Sequence, residues 1–70
     1  MDLMNDTEKF NTIQAMRNYG GGFVQRLALA WEHADSDNSS RIQKAFPEYM
    51  VEYGPGSKFY QNVVWVNLGG

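Results

Sequence analysis

Three groups of side chains in this sequence have the types and spacing to raise a question of chemistry. Gly20-Gly21-Gly22 stands just ahead of a helical pattern, where backbone N–H groups freed of Cβ crowding can approach an anion at a helix N-terminus. The details do not complete a phosphate cradle. A G-x-G-x-x-G motif would need glycine where Gln25 stands, no Gly-Lys-Ser/Thr follows, and the segment before the triplet reads as helix, not strand. A tight corner between helices is expected there. The second group, Glu32-His33-Ala34-Asp35-Ser36-Asp37, gathers metal-capable side chains, but a transition-metal site draws on three or four convergent ligands, and the chain has one His and no Cys. As a calcium loop beginning at Asp35 it puts Ser40 at the glycine position and Phe46 at the closing glutamate position. The expectation is a solvated loop whose carboxylates cap a helix. The third group is nucleophilic: His33 is the lone imidazole, and the serines of the run from Asp35 to Ser40 sit in no elbow motif. No enzymatic activity, catalytic residue, metal or cofactor is therefore expected.

Composition narrows the remaining classes. The 70 residues are 43% hydrophobic and 14% aromatic, too rich in aromatics for a disordered chain. Six basic against eight acidic residues give a net charge of −2, which supplies no broad positive field for nucleic acid. A helix-turn-helix reading of the Asp35 to Ser40 region fails similarly, since that motif wants a shorter turn and Asp35 and Asp37 would face phosphate. The longest uninterrupted apolar stretch runs from Leu27 to Trp31, far short of the roughly 20 residues that span a bilayer. Asp2, Asp6 and Glu8 stand where a signal peptide would be basic, so a cytoplasmic protein that neither enters membranes nor binds nucleic acid is expected.

The elements that must position any site follow from periodicity. Residues 1–10 read as a flexible lead-in. Asn11 is a good N-cap with Gln14 in the capping-box position, and Ile13, Met16 and Tyr19 continue at helical spacing to Gly20. Phe23, Leu27, Ala30, Trp31 and Ala34 form one stripe of a second helix. After the polar loop, Ile42, Ala45, Phe46, Tyr49, Met50 and Tyr53 keep helical spacing across Pro47, which predicts either a kink or a separate short helix beginning at Pro47 and ending at Gly54. Gly54-Pro55-Gly56 punctuates. Beyond it Phe59, Tyr60, Val63, Val64, Trp65 and Val66 are β-branched or aromatic, and residues 57–68 are expected to form a strand. The fold expected is mainly α: two to three short helices in a small bundle packed through Ile13, Met16, Phe23, Leu27, Trp31, Ile42, Phe46 and Met50, over residues 11–53. A strand or hairpin occupies the tail, residues 54–70.

A lone strand must find partners for its main chain. Three outcomes are open: a hairpin turning at Gln61-Asn62, pairing with the same strand of a second subunit, or addition to a sheet of another protein, with self-pairing slightly favoured. Phe59, Tyr60, Val64, Trp65 and Val66 are the candidate partner-binding residues on this reading.

Residues 11–53 carry Asn18-Tyr19-Gly20-Gly21, Ala30-Trp31, Ala34-Asp35, Asn38 and Ala45-Phe46-Pro47-Glu48. This pattern resembles a family of short bacteriophage and prophage proteins of unassigned function. The resemblance implies a phage origin and no chemistry, and it does not extend to the first ten residues or the tail. The resulting expectation is a non-enzymatic module that binds a host or phage protein, as an inhibitor of a host defence or regulatory complex would. The alternatives are a homo-oligomeric phage structural or accessory protein, dimeric through the tail, and a small DNA-binding regulator.

Overall fold

The computed structural model describes residues 4–70, which form five helices: α1 (Asp6–Tyr19), α2 (Gly22–Glu32), α3 (Ser36–Ala45), α4 (Pro47–Tyr53) and α5 (Lys58–Asn67). The first begins ahead of the expected cap at Asn11. Asn5 accepts from the Glu8 backbone N–H at 2.7 Å and the Glu8 carboxylate accepts from the Asn5 N–H at 3.2 Å, a reciprocal capping box. Residues 6–10 are therefore helical and not a loose lead-in; the rest of that expectation, residues 1–3, lies outside the described residues. Asn11 itself is buried in the middle of α1.

Gly20 caps the end of α1 and Gly21 the start of α2, the corner expected of the triplet. Only Gly20 is sterically required. A Cβ there would overlap Val24 Cγ1 and come within 2.6 Å of the Met16 carbonyl oxygen, whereas Gly21 faces open space. Asp35 caps α3, its carboxylate accepting from the Asn38 N–H at 2.8 Å, the helix-capping role expected of that acidic segment. The expected loop from Asp35 to Ser40 is otherwise not seen, because that cap starts the helix at Ser36 and Ser39 and Ser40 are buried within it. Pro47 opens a separate α4 that ends at Gly54, because proline lacks the N–H that would continue the ladder of α3.

The expected C-terminal strand is absent; residues 58–67 are helix α5, and the Gln61-Asn62 hairpin with it falls away. Local chemistry explains the difference at both ends. Ser57 Oγ accepts from the Tyr60 N–H at 3.2 Å as an N-cap. At the other end Gly69, at φ +90°, donates to the Val66 carbonyl while Gly70 donates to that of Trp65, both at 3.0 Å, which is a Schellman closure. Between these caps the β-branched valines cost only a fraction of a kcal/mol each in helix propensity, about 0.5, and tertiary burial outweighs that. Val63 is buried, and Phe59 stacks between Tyr19 and Tyr53 at ring-centroid distances of 4.9 and 5.4 Å.

The core gathers Ile13, Ala15 and Met16 from α1, Val24, Ala28 and Trp31 from α2, Tyr53 from α4 and Val63 from α5. Of the expected core residues, Ile13, Met16 and Trp31 are buried and Leu27, Ile42 and Met50 pack against them. Phe46 is half-buried. Phe23 is not core: it is 59% exposed. The radius of gyration is 11.1 Å, the value of about 11 Å that 70 residues folded into one body should have, so the tail is integrated into the body and not appended to it.

Candidate functional site

Helix α2 carries two apolar faces where the sequence suggested one. Val24, Ala28 and Trp31 point into the core and are buried. Phe23 and Ala30 lie one residue out of phase with them, about 100° round the helix, and are exposed, while Ala34, in the connection after α2, is half-buried. This second face is one wall of an open groove of about 450 Å³ between α2 and α3. Ala30, Ala34, Ile42, Ala45 and Phe46 form its apolar surface, and His33, Asn38 and Arg41 supply its polar groups. Arg41 Nη2 is 3.4 Å from Asp37 Oδ2 with both side chains largely exposed, a pair worth well under about 1 kcal/mol and readily exchanged for another carboxylate.

Aromatic rings extend the groove across the molecule. From Phe46 at its edge the row passes to Phe23 (5.9 Å), Tyr49 (6.3 Å), Tyr53 (6.3 Å), Phe59 (5.4 Å) and Tyr19 (4.9 Å), in edge-on, tilted and stacked arrangements. Phe23 and Tyr19 show open faces to solvent at 59% and 40% exposure. Burial, assisted by the nearby Glu52 and Tyr49, raises the Tyr53 hydroxyl above its ordinary value. A second, smaller cavity of about 350 Å³ is lined by Phe10, Ile13, Gln14, Arg17 and Glu32, with the Arg17–Glu32 ion pair at 3.1 Å beside it.

The five residues nominated from the tail are divided by α5. Phe59 belongs to the ring row, and Tyr60 is half-buried with its hydroxyl accepting from Asn11 Nδ2 at 3.5 Å. The Asn67 amide donates to Asn11 Oδ1 at 3.3 Å, so buried Asn11 ties both ends of α5 to α1. Val64 is half-buried. Trp65 and Val66 are 64% and 61% exposed and, with Leu68 at 80%, form an apolar end to the molecule. The terminal backbone covers part of Trp65: a Cβ added at Gly70 would overlap its indole. Ala30 and Ala34 fall in the expected stripe of the second helix and Ile42 in the expected core, so periodicity alone does not mark them as a groove. The parallel spacing of Val24, Ala28 and Trp31 was the signal that α2 had more apolar surface than one contact could cover.

Among the described residues, no three His, Cys, Asp or Glu side chains converge to hold a metal ion. No described helix is long and apolar enough to cross a membrane. The chain matches no family model, no curated protein and no solved structure. The likeness to short phage proteins rests on the residues quoted for it alone.

Proposed function

We propose that the protein is a non-enzymatic binding module that takes an apolar helical segment of a second protein into the groove between α2 and α3. The observation that carries this reading is the second apolar face of α2. Phe23 and Ala30 on α2, with Ala34 just past its end, leave an apolar strip wholly or partly in water; Ala30 and Ala34 line the groove, and Phe23 adjoins it through the Phe46 ring 5.9 Å away. A partner helix satisfies such a face by laying its own i, i+3, i+4 and i+7 side chains along it. His33, Asn38 and Arg41 then offer hydrogen bonds that orient the guest. The earlier rationale, a strand seeking a sheet, no longer applies, since α5 satisfies its own main chain.

The test begins with a photo-crosslinking side chain at Phe23 to identify the bound protein in cells. Affinity for that purified protein is then measured for Ala30→Arg and Trp65→Ala. Both positions are exposed, so neither variant opens the core. Ala30→Arg should weaken binding at least tenfold, about 1.4 kcal/mol, and Trp65→Ala should leave it unchanged. The reverse pattern would place the contact at the C-terminal end of α5, and a crosslink only to a second copy of the chain would make the protein a homo-oligomer instead.

A further inference from the structure

We infer that α3 is a detachable latch: it lifts from the body as a unit while α1, α2 and α5 stay folded, and lifting bares Trp31. The inference goes beyond the docking reading and does not depend on it. Helices α1, α2 and α5 seat themselves through buried apolar side chains, whereas α3 is seated on a polar face. Its buried residues are Ser39, Ser40 and Gln43; its apolar Ile42 is only half-buried and Ala45 is exposed. Apolar burial, the main force that seats a helix, is therefore weakest here.

What holds α3 is directional. The Trp31 indole N–H donates to Ser39 Oγ at 2.6 Å, and Gln43 Nε2 donates to the same oxygen at 3.3 Å. Seating also carries a penalty, for the Ser40 hydroxyl is buried with no hydrogen-bond partner among the described residues, a group that water would satisfy once the helix lifted. The rest of the body does not depend on α3. Among the described helices it touches α2 and α4 only, while α1 packs against α2, α4 and α5. The chain is also jointed at both ends: the Ala34-Asp35 connection precedes α3, and the break at Phe46, φ −127° and ψ 60°, ahead of Pro47 follows it. Ser36, Asp37, Asn38, Ser39 and Ser40 are all weak helix formers, so the helix has little reason to persist when undocked. Local opening of such a unit is the ordinary route by which part of a protein exchanges its amides before the whole unfolds.

Amide hydrogen exchange on the full chain tests this. In the natural sequence, the amides of α3 should be at least tenfold less protected than those of α1 and α5. Ser39→Ala removes the acceptor for Trp31 and weakens the seated state against the α3-open and the unfolded states alike, so it should speed exchange in α3, α1 and α5 by about tenfold. Val63→Ala, buried on a helix that does not touch α3, should speed exchange in α1 and α5 and leave α3 unchanged. Ser40→Ala removes the unsatisfied hydroxyl and should slow exchange in all three helices, and the difference in protection within the natural sequence decides the matter even if a variant fails to fold. Equal protection of α3, α1 and α5 would overturn the inference. So would a Val63→Ala variant that speeds α3 as much as α1 and α5, since α3 would then open only with global unfolding.

Discussion

The two tryptophans occupy opposite environments, and exchanging each for phenylalanine makes a sharp test of the packing. Trp31 is fully buried and its indole N–H donates to Ser39 Oγ, whereas Trp65 is 64% exposed on α5. Trp31→Phe removes roughly 40 Å³ from the core, which at about 24 cal/mol per Å³ costs about 1 kcal/mol. Losing the hydrogen bond adds about 1 kcal/mol. That second figure stays near the ordinary net value because Ser39 Oγ keeps the Gln43 donor. The sum, about 2 kcal/mol, should lower Tm by roughly 8–16 °C in a domain of this size. Trp65→Phe should cost less than about 0.5 kcal/mol. Urea and thermal unfolding followed by circular dichroism read both values. Fluorescence supplies the cross-check: the variant retaining only Trp31 should emit at shorter wavelength than the one retaining only Trp65. Equal costs for the two substitutions, or a red-shifted Trp31, would refute the assignment of Trp31 to the core.

Other expectations follow from single sites. Gly20→Ala should destabilise by about 1–3 kcal/mol, because the new methyl meets Val24 and a backbone carbonyl, while Gly21→Ala, which meets nothing, should be neutral or stabilising by a few tenths of a kcal/mol, about 0.4; denaturant midpoints separate the two. Gly69→Ala forces an L-residue to φ near +90° and should loosen the end of α5 by about 1 kcal/mol, visible as faster amide exchange at residues 66–70. Tyr53 holds its proton more tightly folded than unfolded, so its contribution is complete below pH 10 and declines as pH rises past that point. Tyr53→Phe should accordingly lose less stability than the natural protein on passing from pH 9 to pH 11 in urea titrations.

Much of the helical frame could be read from the sequence because its signals are local. The glycine corner, the Asp35 cap and the restart at Pro47 each follow from backbone chemistry that tertiary contacts do not override. The tail could not be read from composition, since Val63, Val64 and Val66 score as strand formers through a preference that is mostly about packing context. Ser57 and the Gly69-Gly70 pair did carry the helical signal, as an N-cap and a Schellman close separated by one helix length, and they outweigh the valines once both are placed. The start of α1 at the Asn5–Glu8 box was likewise written in the sequence but masked by the polar, acidic look of the segment. The groove was half legible: the stripe through Phe23, Ala30 and Ala34 was seen, but which of two neighbouring stripes faces inward depends on where α1 and α3 sit, and no periodicity supplies that.

Nuclear Overhauser contacts between the Phe59 ring and the Tyr19 ring, in a dilute and monomeric sample, test the account most directly. With centroids 4.9 Å apart, strong cross-peaks should appear alongside sequential amide contacts from residue 58 to residue 67. Their absence, with cross-strand contacts to a second chain in their place, would restore the tail as a pairing strand and remove the basis for placing the binding face on α2.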